Sequence, residues 1–506
     1  MNPSVASLIC ACVIAGLLYL DREKTVRTSR ALWLPGLWIA IVGSRSLSEW
    51  LGLSSPDNAQ LDGSPVDAAA FGFLLAVAIV VLIRRKNATW TLLLANWQIL
   101  IYFLYCLTSV AWSYHPDVSF KRWIKAIGDL AMVLVIATDS QPVAAIRRVV
   151  SRVGFLLLPT SVLFIRYYGD LGRGYTSEGF PMNTGVTTDK NALGLIVLMV
   201  SLVVWWNVRL LLIHKDEPNR GRRLLAQGIL LAFGLALFWM AQCSTGKACF
   251  ILGSFLIVAS NLRAIRKRPK RVHVLCLTIL LVAGGTLLFG GQAEVVNALG
   301  RQSNMSGRTD IWAAVIPAVP NSIVGAGFES FWISPNVRIF QRTLLNLGWY
   351  PSLVEVLNEA HDGYIEIYLS LGWIGVCLIA LILIGGYRRA YKAFQRDPEL
   401  GSLFLAFVAV GMVYNVTEAG FRMLTPSWIF LLVAIVTASG VAAGLFGGEK
   451  HKVPASRSGM VSCAAGSHEL MPESVCVHSL RGGFNAIGNQ SRKQSPLMLR
   501  LGLSRP

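Results

Sequence analysis

Apolar residues run through this chain in stretches too long for a half-buried strand and too uniform for an amphipathic surface helix. Thirteen recur, near residues 4–20, 31–43, 68–83, 91–112, 126–138, 150–168, 192–213, 224–241, 248–262, 272–290, 364–386, 401–417 and 425–446. A helix needs about 20 mostly apolar residues to cross a hydrocarbon layer about 30 Å thick, at about 1.5 Å of rise per residue. The stretches at 31, 126 and 248 are short, so the pattern predicts an all-α, polytopic membrane protein of about 12–13 transmembrane helices. No Lys or Arg precedes the first stretch and no small-residue cleavage site follows Leu20, so it reads as a retained helix rather than a signal peptide. Four segments result: helices and short loops over 1–290, a large outward loop over 291–363, the last helices over 364–446, and a disordered cytoplasmic tail rich in Ser, Gly and Pro over 447–506.

Composition agrees with that reading and charge adds an orientation. The 506 residues are 54% hydrophobic and 14% charged, against about 25% charged in soluble proteins. The net charge of +19 would suggest a nucleic-acid partner in a soluble chain. Taking the connections alternately, however, one set holds 33 of the 46 Lys and Arg, including Arg22 to Arg30, Arg84 to Lys86, Arg147 to Arg152, Arg209 to Arg223, Arg263 to Arg271 and Arg388 to Arg396. Cytoplasmic connections carry such an excess, which places that set inside and the amino terminus outside. Basic residues scattered over short loops make no groove-tracking surface, so nucleic acid is excluded as the partner. Most of the nine Cys lie within the apolar stretches and form neither a disulfide framework nor a zinc pattern.

The outward connections carry the candidate chemistry. In the large loop are "SGRTDIWAAVIPAVP" (306–320), "VGAGFESFW" (324–332) and "NEAHDGYIEIYLSLGWIG" (358–375). Of seven His residues only His115 and His361 face outward. An imidazole with a pKa near 6.5 accepts a proton at neutral pH, so His361, flanked by Glu359, Asp362 and Glu366, reads equally as a base with orienting carboxylates or as an interfacial His satisfied by one of them. Residues 166–191 add Arg166, Arg173 and Lys190, cations suited to an anionic phosphate headgroup or simply solvated. Lys121, Arg122 and Lys125 go against the charge rule beside Trp112 and Trp123, which suit an interfacial aromatic belt. Arg45 and Glu49, four apart, are placed to pair if helical, a structural role. No Walker loop, GxSxG, HExxH or outward DxD pattern occurs, so nothing demands a metal, nucleotide or other cofactor.

Together these segments resemble the O-antigen ligase and O-antigen polymerase superfamily. The carrying residues are Gly307 to Trp312, "GAGFESFW", and "NEAHDGYIEIYLSLGWIG" with ten residues between His361 and Gly372; "SRSLSEW" (44–50), "SVAWSYHPDVSFKRWIK" (109–125) and "DKNALG" (189–194) are similar to its exopolysaccharide-polymerization branch. The resemblance covers about 31–446 in order, with Asp362 standing where Asn or His is common in the family. It implies a GT-C-like glycosyltransferase in the bacterial inner membrane with its site facing the periplasm. The implied reaction is metal-independent and inverting, moving a glycan from an undecaprenyl-diphosphate carrier to the hydroxyl of an acceptor glycan or lipid A core. His361 and Arg308 would then be catalytic, with Arg308, Arg173 and Lys190 holding the diphosphate and Glu359, Asp362 and Glu366 supporting. Twelve spans with both ends cytoplasmic is the family's usual arrangement, one fewer than the thirteen stretches here. The alternatives are a transporter or flippase of the same lipid-linked oligosaccharide, expected to bury charges in mid-membrane, and a purely structural assembly partner.

Overall fold

The computed structural model describes residues 2–23, 26–53, 63–176, 179–288, 306–355 and 357–445. The expected tail over 447–506 and the start of the large loop, 291–305, lie outside the described residues. The chain is an all-α, multi-pass membrane protein. Its principal helices are α1 (Pro3–Leu20), α2 (Trp33–Val42), α3 (Pro65–Arg84), α4 (Lys86–Ala95), α5 (Trp97–Ser109), α6 (Pro116–Ala137), α7 (Pro142–Tyr167), α8 (Lys190–Ile213), α9 (Arg220–Ala241), α10 (Ser244–Ser260), α11 (Arg271–Leu288), α12 (Ser306–Val315), α13 (Val337–Asn346), α14 (Gly363–Arg396), α15 (Pro398–Tyr414) and α16 (Pro426–Ala443). Strand is confined among the described residues to a hairpin of β1 (Arg173–Tyr175) and β2 (Pro181–Asn183), antiparallel with Arg173 opposite Asn183.

Local chemistry sets the helix ends. Asn2, Ser64, Asp189, Asp362 and Asp397 each cap a first turn by accepting a backbone N–H, and Pro follows directly in α1, α3 and α15, where its missing N–H costs nothing. Helices α8, α15 and α16 are buried on nearly every face and form the centre of the bundle. Helices α1 and α3 sit at its rim with Leu8 67% and Phe73 69% exposed, as lipid-facing side chains must be.

The described residues of all thirteen apolar stretches lie mainly in helices. Seven helices (α1, α3, α7, α8, α9, α14 and α16) are by themselves long and apolar enough to cross a membrane, while α2, α10 and α15 are shorter, as is α11 over Arg271–Val282. The stretch at 91–112 is corrected: it is not one straight span, because α4 and α5 meet at 87°. The cause is Asn96, whose buried Nδ2 donates to Leu92 O at 2.7 Å and Ser439 Oγ at 2.7 Å. Arg389 fixes the same corner by donating to Ala95 O at 2.8 Å and Gln98 Oε1 at 2.5 Å. At the other end of α4, Arg85 donates to Val135 O at 3.1 Å, on the last turn of α6. Both ends of α4 thus lie at the end of the bundle that holds the Lys and Arg excess, and α4 runs across that end.

Contacts between loops follow the alternation read from the charges. On the basic side Arg148 donates to Val26 O at 3.2 Å, Arg222 to Tyr19 O at 3.0 Å, and His214 lies 2.8 Å from Glu399. On the other side Arg45 donates to Leu171 O at 2.5 Å and Arg122 to Glu329 O. The pairing of Arg45 with Glu49 is corrected: Glu49 closes a capping box with Ser46, and Arg45 turns to Leu171 and the Trp50 ring. Trp112 and Trp123 donate to Val324 O at 3.3 Å and Phe103 O at 2.9 Å, so the protein itself holds their indoles.

Outside the main core a second apolar cluster forms around Ile311, Val315, Phe331, Phe340, Leu344 and Leu369. It unites α12, α13 and the first turns of α14. That arrangement depends on Gly372, whose φ of 63° and ψ of −164° break α14 in a conformation open essentially only to glycine. The freed amides of Trp373 and Ile374 donate to Ser322 O at 2.9 Å and Ile323 O at 3.2 Å, and Ala326 N donates to Leu369 O at 2.9 Å. Segment 322–326 is thereby tied backbone to backbone to the broken helix, which gives partners to the amides that the break frees.

Candidate functional site

Helix α12 begins the site. Arg308 and Trp312 stand one turn apart, hence on one face. Trp312 donates its indole N–H to Ala360 O at 2.8 Å, and Arg308 donates to Thr417 O at 2.6 Å and approaches Glu418 Oε1 at 3.3 Å. One face of α12 thus holds both the loop before α14 and the connection between α15 and α16.

His361 sits at the junction of these elements. Its φ is 52°, a left-handed backbone unusual for a side-chain-bearing residue, and Glu329 has the same φ of 52°. Asp362 next to it caps α14, accepting from Tyr364 N at 2.8 Å and Ile365 N at 2.9 Å. Glu366 accepts from Trp332 Nε1 at 2.9 Å and Ala360 N at 2.5 Å. Of the three carboxylates expected around His361, Glu359 reaches it: Nδ1 lies 2.7 Å from Oε1. Asp362 and Glu366 are spent on holding the loop.

The charged groups form a row of alternating sign. Arg308 faces Glu418 at 3.3 Å, Glu418 lies 3.9 Å from His361 Nδ1, Glu359 lies 2.7 Å from the same nitrogen and 3.9 Å from Arg422, and Arg422 lies 3.2 Å from Glu329. Arg122 completes it through Glu329 O. Burial alone would lower the His361 pKa, but the Glu359 contact and the charges of Glu359 and Glu418 outweigh it and raise it. Glu359 is also desolvated, yet His361, Arg422 and Arg308 carry its pKa below the usual carboxylate range. Glu418 goes the other way, because burial exceeds the help it receives from Arg308 and His361. Burial likewise lifts Asp362 to about 6 against two backbone N–H bonds.

The remaining expected residues divide. Lys190 opens α8 next to Asp189, whose burial-raised carboxylate interacts electrostatically with Glu359 and His361, while no contact joins Lys190 itself to the row among the described residues. Arg173 donates through Nε to Ile165 O at 2.9 Å, and no contact joins it to the His361 row among the described residues. Glu418, Arg422 and Glu329 are absent from the sequence reading. The available signal was "NVTEAGFR" (415–422), two opposite charges in a short turn between apolar helices, and Glu329 within "GAGFESFW". Asp129, fully buried in α6, is a further charge in an apolar stretch; it accepts from Trp38 Nε1 at 2.8 Å and Leu424 N at 2.8 Å, a fixed strut rather than a mobile carrier.

Ligand-type atoms of Glu359, His361 and Glu418 lie within 4.8 Å of one another, close enough for a metal ion. Arg308 and Arg422 already oppose both carboxylates, so a dication entering there would meet two guanidinium charges and an imidazole inclined to protonation. The residues suit an anion better than a cation.

No family model matches the chain. It is similar to the exopolysaccharide production protein ExoQ of Rhizobium meliloti (strain 1021), with 22% identity over 310 residues covering 59% of this chain. The matched region spans 66% of the length of that curated relative.

Proposed function

We propose that the protein is a glycosyltransferase of polysaccharide synthesis, acting at the periplasmic face of the bacterial inner membrane on an undecaprenyl-diphosphate-linked glycan. The observation carrying this reading is an imidazole set between two carboxylates with a guanidinium beyond each. The name of the relative, an exopolysaccharide production protein, and the outward resemblance of "GRTDIW" and "HDGYIEIYLSLG" support the same chemistry.

With Nδ1 turned to Glu359, Nε2 of His361 is the nitrogen left to take the acceptor proton. The acceptor oxygen forms a bond to the anomeric carbon from the face opposite the diphosphate, and the carbon–oxygen bond to the diphosphate breaks with its electron pair leaving on the phosphate oxygen. Inversion follows from that single displacement. Arg308 meets the charge developing on the leaving diphosphate, and Lys190 adds a cation at the mouth; preorganised cations of this kind are usually a large catalytic contribution. Arg173, bound back to Ile165, serves the donor from a more distant position. No metal enters the scheme.

The test is glycan transfer from purified lipid-diphosphate donor by the full chain in detergent or nanodiscs, with and without chelator. His361→Ala should abolish transfer while remaining in the membrane, and Arg308→Lys should lower kcat by about 10²-fold or more, as loss of an oxyanion donor does. Wild-type rates in both variants would end the proposal, as would carrier-linked sugar crossing the bilayer without bond formation. A ladder lengthened on the carrier marks a polymerase, and transfer to a core acceptor marks a ligase.

A further inference from the structure

At the opposite end from His361 the structure holds a second, unrelated cavity. We propose that it binds an anionic phospholipid of the leaflet on the basic side, with the phosphate in a cationic cup and an acyl chain along the groove beside it. The cup has a volume of about 640 Å³ and is lined by Arg27, Arg84, Arg85 and Lys86 together with hydroxyls such as Ser140 and Thr138. Adjoining it is a groove of about 910 Å³ lined mainly by Ile79, Ile83, Leu93, Ile127 and Leu134. Lys86 and Asn87 line both, so polar head and apolar track are continuous.

Of the four cations in the cup, Arg85 is paired and the other three are not, among the described residues. Arg85 is a wall residue, donating to Val135 O at 3.1 Å and Thr138 Oγ1 at 3.3 Å and lying 3.7 Å from Asp139. Asp139, the carboxylate at this wall, is itself engaged by Ser29 N at 3.1 Å. Arg27, Arg84 and Lys86 are exposed and have no ion-pair partner among the described residues. Basic pockets between helices on the cytoplasmic side are where anionic headgroups bind, and the charge rule puts this end there.

Helix α4 gives the site its depth. Because it runs across the basic end instead of entering the bilayer, it leaves the apolar flank of α3 and α6 open beneath it. Trp90, 62% exposed, lines the groove and is an aromatic side chain suited to the headgroup layer. A free phosphate would satisfy the cup but leave the apolar track unexplained, which is why we assign a lipid.

The experiment uses the full chain, delipidated in neutral detergent, titrated with phosphatidylglycerol and phosphatidylcholine micelles and read by native mass spectrometry. Phosphatidylglycerol should bind with clear preference, and each of Arg27→Gln, Arg84→Gln and Lys86→Gln should weaken it about fivefold, the value of one surface cation. Leu134→Trp, which fills the track and spares the cup, should also reduce binding. Circular dichroism confirms that each variant is folded, and Arg27→Gln lies in a loop where folding is least at stake. Equal binding of the two lipids, or a charge series without effect, would overturn the proposal. So would displacement by millimolar inorganic phosphate as effectively as by lipid, or a higher affinity for a polyprenyl phosphate than for phosphatidylglycerol.

Discussion

Replacing Gly372 by Ala is a sharp structural perturbation, because it acts on the backbone break in α14 that ties segment 322–326 to that helix. A Cβ at this position would come within 2.2 Å of Ile323 O and 2.3 Å of its carbonyl carbon, both backbone atoms that cannot turn aside. The φ of 63° with ψ of −164° is strained for any L side chain, at about 1–3 kcal/mol. Expelling segment 322–326 also gives up its three backbone hydrogen bonds to α14, at about 1 kcal/mol each. The sum is about 4–6 kcal/mol, paid largely as local detachment of that segment. Hydrogen exchange in detergent should show the Trp373 and Ile374 amides losing protection, and transfer activity should fall with it because the Gly372 clasp lies one helix segment from His361. Gly228→Ala is the control, since nothing lies within 4 Å of its Cβ position in α9, and it should be neutral or stabilising by up to about 1 kcal/mol. If Gly372→Ala kept wild-type protection and activity, the clasp would not be what holds the outer cluster in place.

Glu359→Gln should move the acid limb of the pH–rate profile to lower pH. A base works deprotonated, the carboxylate raises the His361 pKa above its ordinary 6.5, and removing it lowers that value; an unmoved or upward-moved limb would contradict the assignment. By linkage, this His contributes stability that is full below about 6.5 and lost as pH rises through its raised pKa, so the wild type should lose its advantage over Glu359→Gln above that point in thermal melts. Asp362→Ala should cost about 1 kcal/mol as a lost N-cap, while Asp362→Asn should nearly restore stability because Asn caps as well; a profile that shifts strongly in Asp362→Asn would instead make it a titrating member of the site. Arg422→Gln should reduce activity less than Arg308→Lys if Arg308 is the group that meets the leaving phosphate, with kcat the quantity compared.

Much of the fold could be read because apolar length carries its own signal, and α8 and α16 are unmistakable on that ground. The misreading at 91–112 arose where composition is silent: Leu92 to Leu94 are apolar enough to insert, and only the buried Asn96, bonded to distant Ser439, turns the chain aside. The charged start of α6 hid its first turns from an apolar count for a related reason, since the helix begins at Pro116 while the apolar stretch begins near 126. At the site, His361 stood out by type and side, and Arg308 stood out through the family resemblance of "GRTDIW". Their true neighbours did not, because Glu418 and Arg422 come from a turn more than fifty residues away in sequence and only packing brings them near. Asp362 and Glu366 misled for the converse reason: adjacency in sequence put them beside His361, while the capping geometry of α14 points them to backbone and Trp332.

The alternating row of charges has a consequence for timing. Arg308 and Arg422 are each held by a carboxylate, Glu418 and Glu329, with which a phosphate would compete. A diphosphate that draws Arg308 toward itself leaves Glu418 without its cation, and the nearest positive group able to answer is the imidazole, which becomes a stronger proton acceptor. Donor arrival would therefore raise the His361 pKa further, making the imidazole a stronger base where it is deprotonated and moving the acid limb upward in the donor complex, and a rise in that pKa on adding a non-hydrolysable donor is the measurement that decides it.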